Sequence, residues 1–148
     1  MDVELTYCCP ECDYKVNQAA GTGLIYWPGF EVVDKDDKYT NMWVRYIESE
    51  ELLDEVEVIV NQKGGRINLD NFGYRIYYSE TCKELSLHFY FELFYEEEGQ
   101  QLYIPKYFDK HKKELVIVSE EDVILLDLEC PKCKTKIRSV SITPILCD

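Results

Sequence analysis

The sequence predicts an α+β fold that is mainly antiparallel β and contains about one helix. Over residues 66–107, apolar and polar side chains alternate with a period of two, which is typical of half-buried strands. Residues 49–64 instead place their apolar side chains at helical spacing. Two Cys-Pro-x-Cys (CPxC) turns, at 9–12 and 130–133, lie near opposite ends of the 148-residue chain. We therefore expect the two ends to meet, with a long β-rich insertion between them.

The N-terminal third begins with a predicted hairpin. VELTY (3–7) leads into the first CPxC turn, and YKVNQ (14–18) can form the return strand. Residues 19–33 contain three glycines and a proline among large apolar residues, which predicts a loop packed onto the core. The polar stretch 34–41 predicts an exposed turn. MWVRYI (42–47) predicts a strand because it is rich in aromatic and β-branched residues.

The clearest helix pattern covers residues 49–64. Ser49 can cap the start of this helix, and Gly64 can end it in a left-handed conformation. Five apolar residues fall on one face of this helix, namely Leu52, Leu53, Val56, Ile59 and Val60.

A meander of strands is predicted after the helix. Residues 85–96 alternate as one long strand, with 73–79 and 101–107 as antiparallel neighbours joined through short turns. Residues 114–130 can form two strands around the SEED turn, which we prefer, or a strand followed by a helix capped by Ser119. KIRSVSITPIL (136–146) predicts a closing strand.

The paired CPxC turns predict one structural Zn²⁺ per chain. Each turn places two thiols on one side of a tight loop, and two such turns supply the four soft ligands of a closed tetrahedral site. The predicted ligands are Cys9, Cys12, Cys130 and Cys133.

This zinc would join distant parts of the sequence. Between Cys12 and Cys130 lie residues 13–129, far more than the roughly 15–20 residues of a compact ribbon. The cost of closing a loop grows only logarithmically with its length, so such a clasp is physically reasonable. The prediction is one domain, 1–148, in which 1–20 and 129–148 form a zinc-ribbon lobe around an inserted β-rich core, 21–128.

Other interpretations of the cysteines stay open. The two turns can bind separate zincs or one shared between subunits, and Cys8 can replace Cys9 as a ligand. Cys82 and Cys147 are expected to be buried or free thiols. A thiol oxidoreductase needs a helix directly after its CxxC, and the sequence YKVNQAAGTG does not predict one. No catalytic residue is predicted, because four thiolates leave no open metal position and neither His88 nor His111 has a ligand-like setting.

The net charge of the chain limits the kinds of partner that it is expected to bind. The net charge of −13 would repel a phosphate backbone, so direct binding of nucleic acid is not expected. An acidic surface can solvate the protein or match a basic protein partner.

Neither a run of about 20 apolar residues nor a secretory leader is present, and the odd number of cysteines suits a reducing compartment. We expect a soluble, cytoplasmic protein that does not contact a membrane.

The first thirty or so residues and the second turn resemble a family of small bacterial zinc-ribbon proteins with paired CPxC knuckles (CpXC-like). TYCCPECDY followed by AAGTGLIYWP is similar to their start, where CPxCGY precedes a Gly-x-Gly and a Tyr-Pro pair. Asp13 stands where glycine is usual, and Trp27 separates Tyr26 from Pro28. The resemblance implies a zinc ribbon and no particular activity.

The leading hypothesis is therefore a non-enzymatic structural-zinc protein that acts as a protein–protein interaction module. One alternative is an acidic inhibitor or immunity-type protein that blocks a basic nuclease or nucleic-acid enzyme, with mimicry of nucleic acid as one way of doing so. The other is a thiol oxidoreductase that uses the CPxC turns. The sequence identifies neither partner-binding residues nor an oligomeric state.

Overall fold

The computed structural model of the protein describes residues 3–20, 47, 49–68 and 70–144. The described residues are mainly antiparallel β with two helices, which confirms the predicted α+β class. The helices are α1 (Glu50–Lys63) and α2 (Glu120–Val123). The strands are β1 (Val3–Cys8), β2 (Lys15–Ala20), β3 (Arg66–Ile67), β4 (Gly73–Ser79), β5 (Glu84–Tyr90), β6 (Leu93–Glu96), β7 (Gln100–Tyr103), β8 (Val116–Ile117), β9 (Leu128–Glu129), β10 (Lys136–Ile137) and β11 (Val140–Pro144).

Contacts divide the chain into two compact units. The cysteine unit comprises Met1–Gly21, Tyr74–His88 and Lys106–Asp148, and the acidic unit comprises Thr22–Gly73 and Phe89–Pro105. The predicted single domain with lobe boundaries after residues 20 and 128 stays a prediction. Apart from residues 19, 20 and 47, the predicted loop, turn and strand over 19–47 lie outside the described residues.

The cysteine unit is built around β1, the central strand of the antiparallel sheet β11-β1-β2. Every second residue of β1 points into the core, because successive side chains of a strand alternate between faces: Val3, Leu5 and Tyr7 are 5% exposed or less. A second sheet has the order β5-β4-β8, and β9 pairs with β10. Side chains from these elements form one hydrophobic core, which also contains Val123 of α2 and the cysteines Cys9 and Cys130.

The acidic unit consists of α1 and the antiparallel sheet β3-β6-β7. The predicted helix is confirmed at both ends. Ser49 Oγ accepts a hydrogen bond from the Leu52 backbone N–H at 3.3 Å, and Gly64 ends the helix with φ 69°. The predicted apolar face is buried at Leu52, Val56, Ile59 and Val60.

The predicted long strand over 85–96 is wrong. It is broken after Tyr90, so that β5 belongs to the sheet with β4 while β6 pairs with β3 and β7. At the break Phe91 is fully buried, and the Glu92 carboxylate accepts hydrogen bonds from the Asn68 amide and the Tyr90 hydroxyl. The apolar and polar residues continue to alternate through the break, so their period does not reveal it.

Each interpretation of residues 114–130 is correct in part. The two preferred strands are present as β8 and β9, but they pair with β4 and β10, and the SEED segment between them begins the short helix α2 that the alternative predicted. Ser119 Oγ accepts a hydrogen bond from the Asp122 N–H at 3.3 Å, and carboxylates in the first turn suit the helix dipole. The predicted closing strand over 136–146 is two strands. β10 pairs with β9, and β11 pairs with β1.

Candidate metal centre

The first CPxC turn connects β1 to β2. These strands pair from Val3 opposite Ala20 to Cys8 opposite Lys15, so the turn is the end of a hairpin. The Cys9 N–H donates to the Tyr14 carbonyl at 2.9 Å and closes the turn. The Glu11 N–H lies 3.4 Å from Cys9 Sγ, a contact that stabilises negative charge on sulfur.

The second CPxC turn repeats this construction between β9 and β10. The Cys130 N–H donates to the Thr135 carbonyl at 2.8 Å, which is the same offset of five residues as in the first turn. The Lys134 N–H also donates to the Cys130 carbonyl at 2.8 Å, and Lys134 has φ 65°. Two segments that are far apart in sequence therefore adopt closely similar closed turns.

The four cysteine sulfurs of the two turns converge, with all Sγ atoms within 4.8 Å of one another. Cys9 Sγ lies 3.5 Å from Cys133 Sγ, and Cys12 Sγ lies 3.5 Å from Cys130 Sγ. Cys133 Sγ is 3.8 Å from Cys12 Sγ. A tetrahedron with metal–sulfur bonds of about 2.3 Å has edges of about 3.8 Å. The donor set and its spacing therefore fit a tetrahedral metal ion such as zinc.

Burial of the four thiols is uneven. Cys130 is fully buried and Cys9 is 5% exposed, so both belong to the hydrophobic core of the cysteine unit. Cys12 is half-buried and Cys133 is exposed. One side of the cluster is thus the protein core, and the other is open to solvent.

The thiols differ in acidity because their surroundings differ. Hydrogen bonds from the hydroxyl and the backbone N–H of Thr135 lower the pKa of Cys133 to about 6. At Cys12 a backbone hydrogen bond from Tyr14 lowers the pKa, but burial and the neighbouring thiols raise it more, to about 12. Metal binding requires all four thiolates, so it must release protons and weaken as the pH falls.

An exposed ion pair links the two turns. Lys132 Nζ lies 3.1 Å from Asp13 Oδ1, and this hydrogen bond lowers the pKa of Asp13 and raises that of Lys132. Exposed pairs contribute little to stability. Neither this pair nor the role of Thr135 was predicted. For Thr135 the only available signal was its position, two residues after Cys133.

The remaining cysteines and both histidines lie outside the sulfur cluster. Cys8 is exposed on β1, because alternation along the strand gives Cys8 and Cys9 opposite directions. Cys82 is buried elsewhere in the cysteine unit, and Cys147 lies outside the described residues. His88 Nε2 is 2.9 Å from Ser86 Oγ, and the imidazole stacks on the Tyr107 ring at 4.5 Å. His111 is exposed in the loop before β8.

No described helix is long and apolar enough to cross a membrane. Comparisons with protein-family models, curated proteins and solved structures find no match for this chain.

Proposed function

We propose that this protein is a non-enzymatic structural-zinc protein that acts by binding another protein. The observation that carries the proposal is the convergence of four thiols from two similar turns, Cys9 and Cys12 from one and Cys130 and Cys133 from the other. Four sulfur ligands complete a tetrahedral shell, so no position remains for a substrate or an activated water.

A structural role is supported by the position of the cysteines in the fold. Cys9 and Cys130 are core residues of the cysteine unit, and each turn connects two paired strands. A bound metal would hold the β1–β2 and β9–β10 hairpins together. The similarity of the N-terminal sequence to paired-CPxC zinc-ribbon proteins supports zinc over iron, the other metal that suits four thiolates.

Metal analysis of the purified protein tests this part of the proposal. We expect about one zinc per chain in the wild type, and loss of the metal in Cys9→Ser. Cys8→Ser is a matched control, because Cys8 is the adjacent thiol but is exposed and outside the cluster. Metal-free protein that folds normally, or equal zinc loss in both variants, would contradict the proposal. Iron in place of zinc would correct the metal alone.

A redox role for the cysteines is less well supported. An active CxxC usually opens a helix whose N-terminus lowers the thiol pKa, whereas here the strands β2 and β10 follow the two turns. We expect the four cluster cysteines of zinc-loaded Cys8→Ser protein to resist alkylation by iodoacetamide until a chelator is added, and Cys8→Ser removes the exposed thiol outside the cluster. Rapid alkylation of Cys9, Cys12, Cys130 or Cys133 with zinc retained would instead favour an oxidoreductase.

Charge supports a protein partner and keeps a second candidate open. The described residues of the acidic unit contain ten carboxylates and only two basic residues, Lys63 and Arg66. Lys63 is already paired with Glu97. The net charge of −13 over the whole chain suits a basic protein surface, and it also suits the alternative of an acidic inhibitor of a nuclease or nucleic-acid enzyme.

Affinity purification with the metal retained, at low and at raised salt, tests for such a partner. A charge-matched partner should be captured at low salt and released as screening increases. If the captured protein is a basic nuclease and the purified protein blocks its activity, the inhibitor alternative is correct. Capture that does not change with salt would contradict a charge-matched partner.

A further inference from the structure

Two neighbouring side chains at the end of α2 are unusually exposed. Ile124 is 71% exposed and Leu125 is 78% exposed, the highest values among the large apolar residues that the structure describes. Val116 and Ile117 of β8, a few residues earlier in the chain, are 40% and 49% exposed. Single exposed apolar residues are ordinary, whereas adjacent, strongly exposed ones such as Ile124 and Leu125 point to an interaction site.

Packing in the core of the cysteine unit explains why Ile124 and Leu125 are exposed. Val123 is 1% exposed and packs in the same core as Cys9 and Cys130. Successive residues of a helix are rotated by about 100°, so burying Val123 turns Ile124 and Leu125 away from that core. Leu128 is buried in the same core and anchors the chain that follows Leu125. A rotation of the helix that buried Ile124 and Leu125 would expose Val123.

The charge around these residues is negative. Glu120, Glu121 and Asp122 are exposed and immediately precede them. Residues 114–131 contain no lysine or arginine. Asp127 differs from the other carboxylates because Lys83 and Lys136 approach it at 2.9 and 3.6 Å. We call the exposed residues at α2 the α2 surface: Glu120, Glu121, Asp122, Ile124 and Leu125.

Basic residues near the α2 surface in sequence belong to a separate hairpin. Lys110 and Lys112 lie at its tip, closed by hydrogen bonds between Asp109 and Lys113 and between Leu115 and Tyr107. Among the described residues, no ion pair joins these lysines to Glu120, Glu121 or Asp122.

We infer that the α2 surface binds a basic protein segment whose apolar side chains cover Ile124 and Leu125 and whose lysines or arginines face Glu120, Glu121 and Asp122. The inference rests on the proposed function, because it identifies the surface through which the protein would bind its partner. Nucleic acid does not fit, since its phosphates would meet carboxylates. A second copy of this chain is disfavoured, because each copy has a net charge of −13.

The test uses the zinc-loaded full chain and a synthetic amphipathic peptide with leucines on one helical face and lysines on the other. We expect backbone NMR shifts concentrated in residues 114–127. Replacing Ile124 and Leu125 together by serine should weaken binding roughly tenfold or more. The combined change Glu120→Gln, Glu121→Gln and Asp122→Asn should reduce the salt dependence of binding.

A second exposed apolar pair provides the matched control. Phe94 and Leu102 lie opposite each other on β6 and β7 of the acidic unit and are 40% and 49% exposed. Replacing both by serine should leave binding unchanged. The inference is overturned if the shifts map to the acidic unit, if the two double variants weaken binding equally, or if the peptide does not bind.

Sedimentation of the protein alone completes the test. We expect a monomer, and a dimer that is lost in the Ile124→Ser, Leu125→Ser variant would make a second copy the occupant and overturn the inference. Zinc content, measured on every sample, separates the two proposals. A folded protein with one zinc that fails to bind the peptide contradicts only the docking surface, whereas a folded protein without zinc contradicts the proposed function.

Discussion

The two units of the molecule obtain their cores in different ways. The core of the cysteine unit includes two thiols, Cys9 and Cys130, and several of its strands have only two residues. The core of the acidic unit is aromatic and aliphatic, with Phe72, Phe89 and Phe91 all 1% exposed or less. A metal bound by the four clustered cysteines would add a cross-link to the first unit, whereas the second unit contains no cysteine.

Charge separates the units as clearly as their cores do. The described residues of the cysteine unit contain twelve carboxylates and eleven lysines or arginines, while those of the acidic unit contain ten and two. Most of the negative charge of the described residues therefore belongs to the acidic unit. In the cysteine unit only local segments, such as that around α2, are strongly negative.

The largest effect we predict is that of metal removal. Chelation should abolish the protection of backbone amides in β1, β2, β9 and β10, because structural zinc supplies on the order of 10 kcal/mol in small domains. Amides of α1 and β6 should stay protected. Native-state hydrogen exchange with and without a chelator measures both. Equal loss of protection in α1 would mean that the two units unfold together, which would contradict the prediction that only the cysteine unit needs the metal.

The next largest effect is expected in the acidic unit. Phe91→Ala should lower the free energy of unfolding by about 3–5 kcal/mol, because it leaves a cavity at a fully buried site. Phe94→Ala is the matched control, since Phe94 is 40% exposed and should cost well under half as much. Denaturant unfolding measures both values. Zinc content should not change in either variant, and zinc loss in Phe91→Ala would show that the acidic unit supports the metal centre.

A smaller effect is predicted at the start of α1. Ser49→Ala removes the hydroxyl that accepts the Leu52 N–H, and should cost about 1 kcal/mol. Ser141→Ala, on an exposed position of β11, should change stability by less than about 0.5 kcal/mol. Hydrogen exchange of α1 amides at equilibrium distinguishes the two. If both variants behave alike, the cap does not contribute to the stability of the acidic unit.

Local chemistry explains which parts of the fold could be predicted from the sequence. Ser49 and Gly64 mark the ends of α1 by capping and left-handed geometry, which operate over a few residues. The grouping of Cys9, Cys12, Cys130 and Cys133 could also be predicted, because each pair has fixed local spacing and the match between the pairs is specific. The metal itself is not part of the structure and stays a prediction.

Tertiary contacts explain the predictions that were wrong. The chain between Tyr90 and Leu93 leaves one sheet and enters another, with Glu92 held by Asn68 and Asn71. Nothing within residues 85–96 encodes those distant partners. At α2 the capping residue Ser119 was visible in the sequence, but the apolar run after it suits a strand equally well. Only the burial of Val123 and the exposure of Leu125 decide between them.

The smallest effect we predict compares the two cysteine turns. Lys134, directly after Cys133, has φ 65°, a left-handed conformation that is unfavourable for residues with a Cβ. Lys134→Gly should relieve this strain, and the greater freedom of glycine in the unfolded chain offsets part of the gain, leaving at most about 1 kcal/mol of stabilisation. Asp13 occupies the same place in the first turn and is not among the described residues with positive φ. Asp13→Gly should therefore give no gain and should lose the ion pair with Lys132. Denaturant unfolding of the two zinc-loaded variants measures both changes in stability. Equal stabilisation by Lys134→Gly and Asp13→Gly would show that the two turns have the same backbone strain.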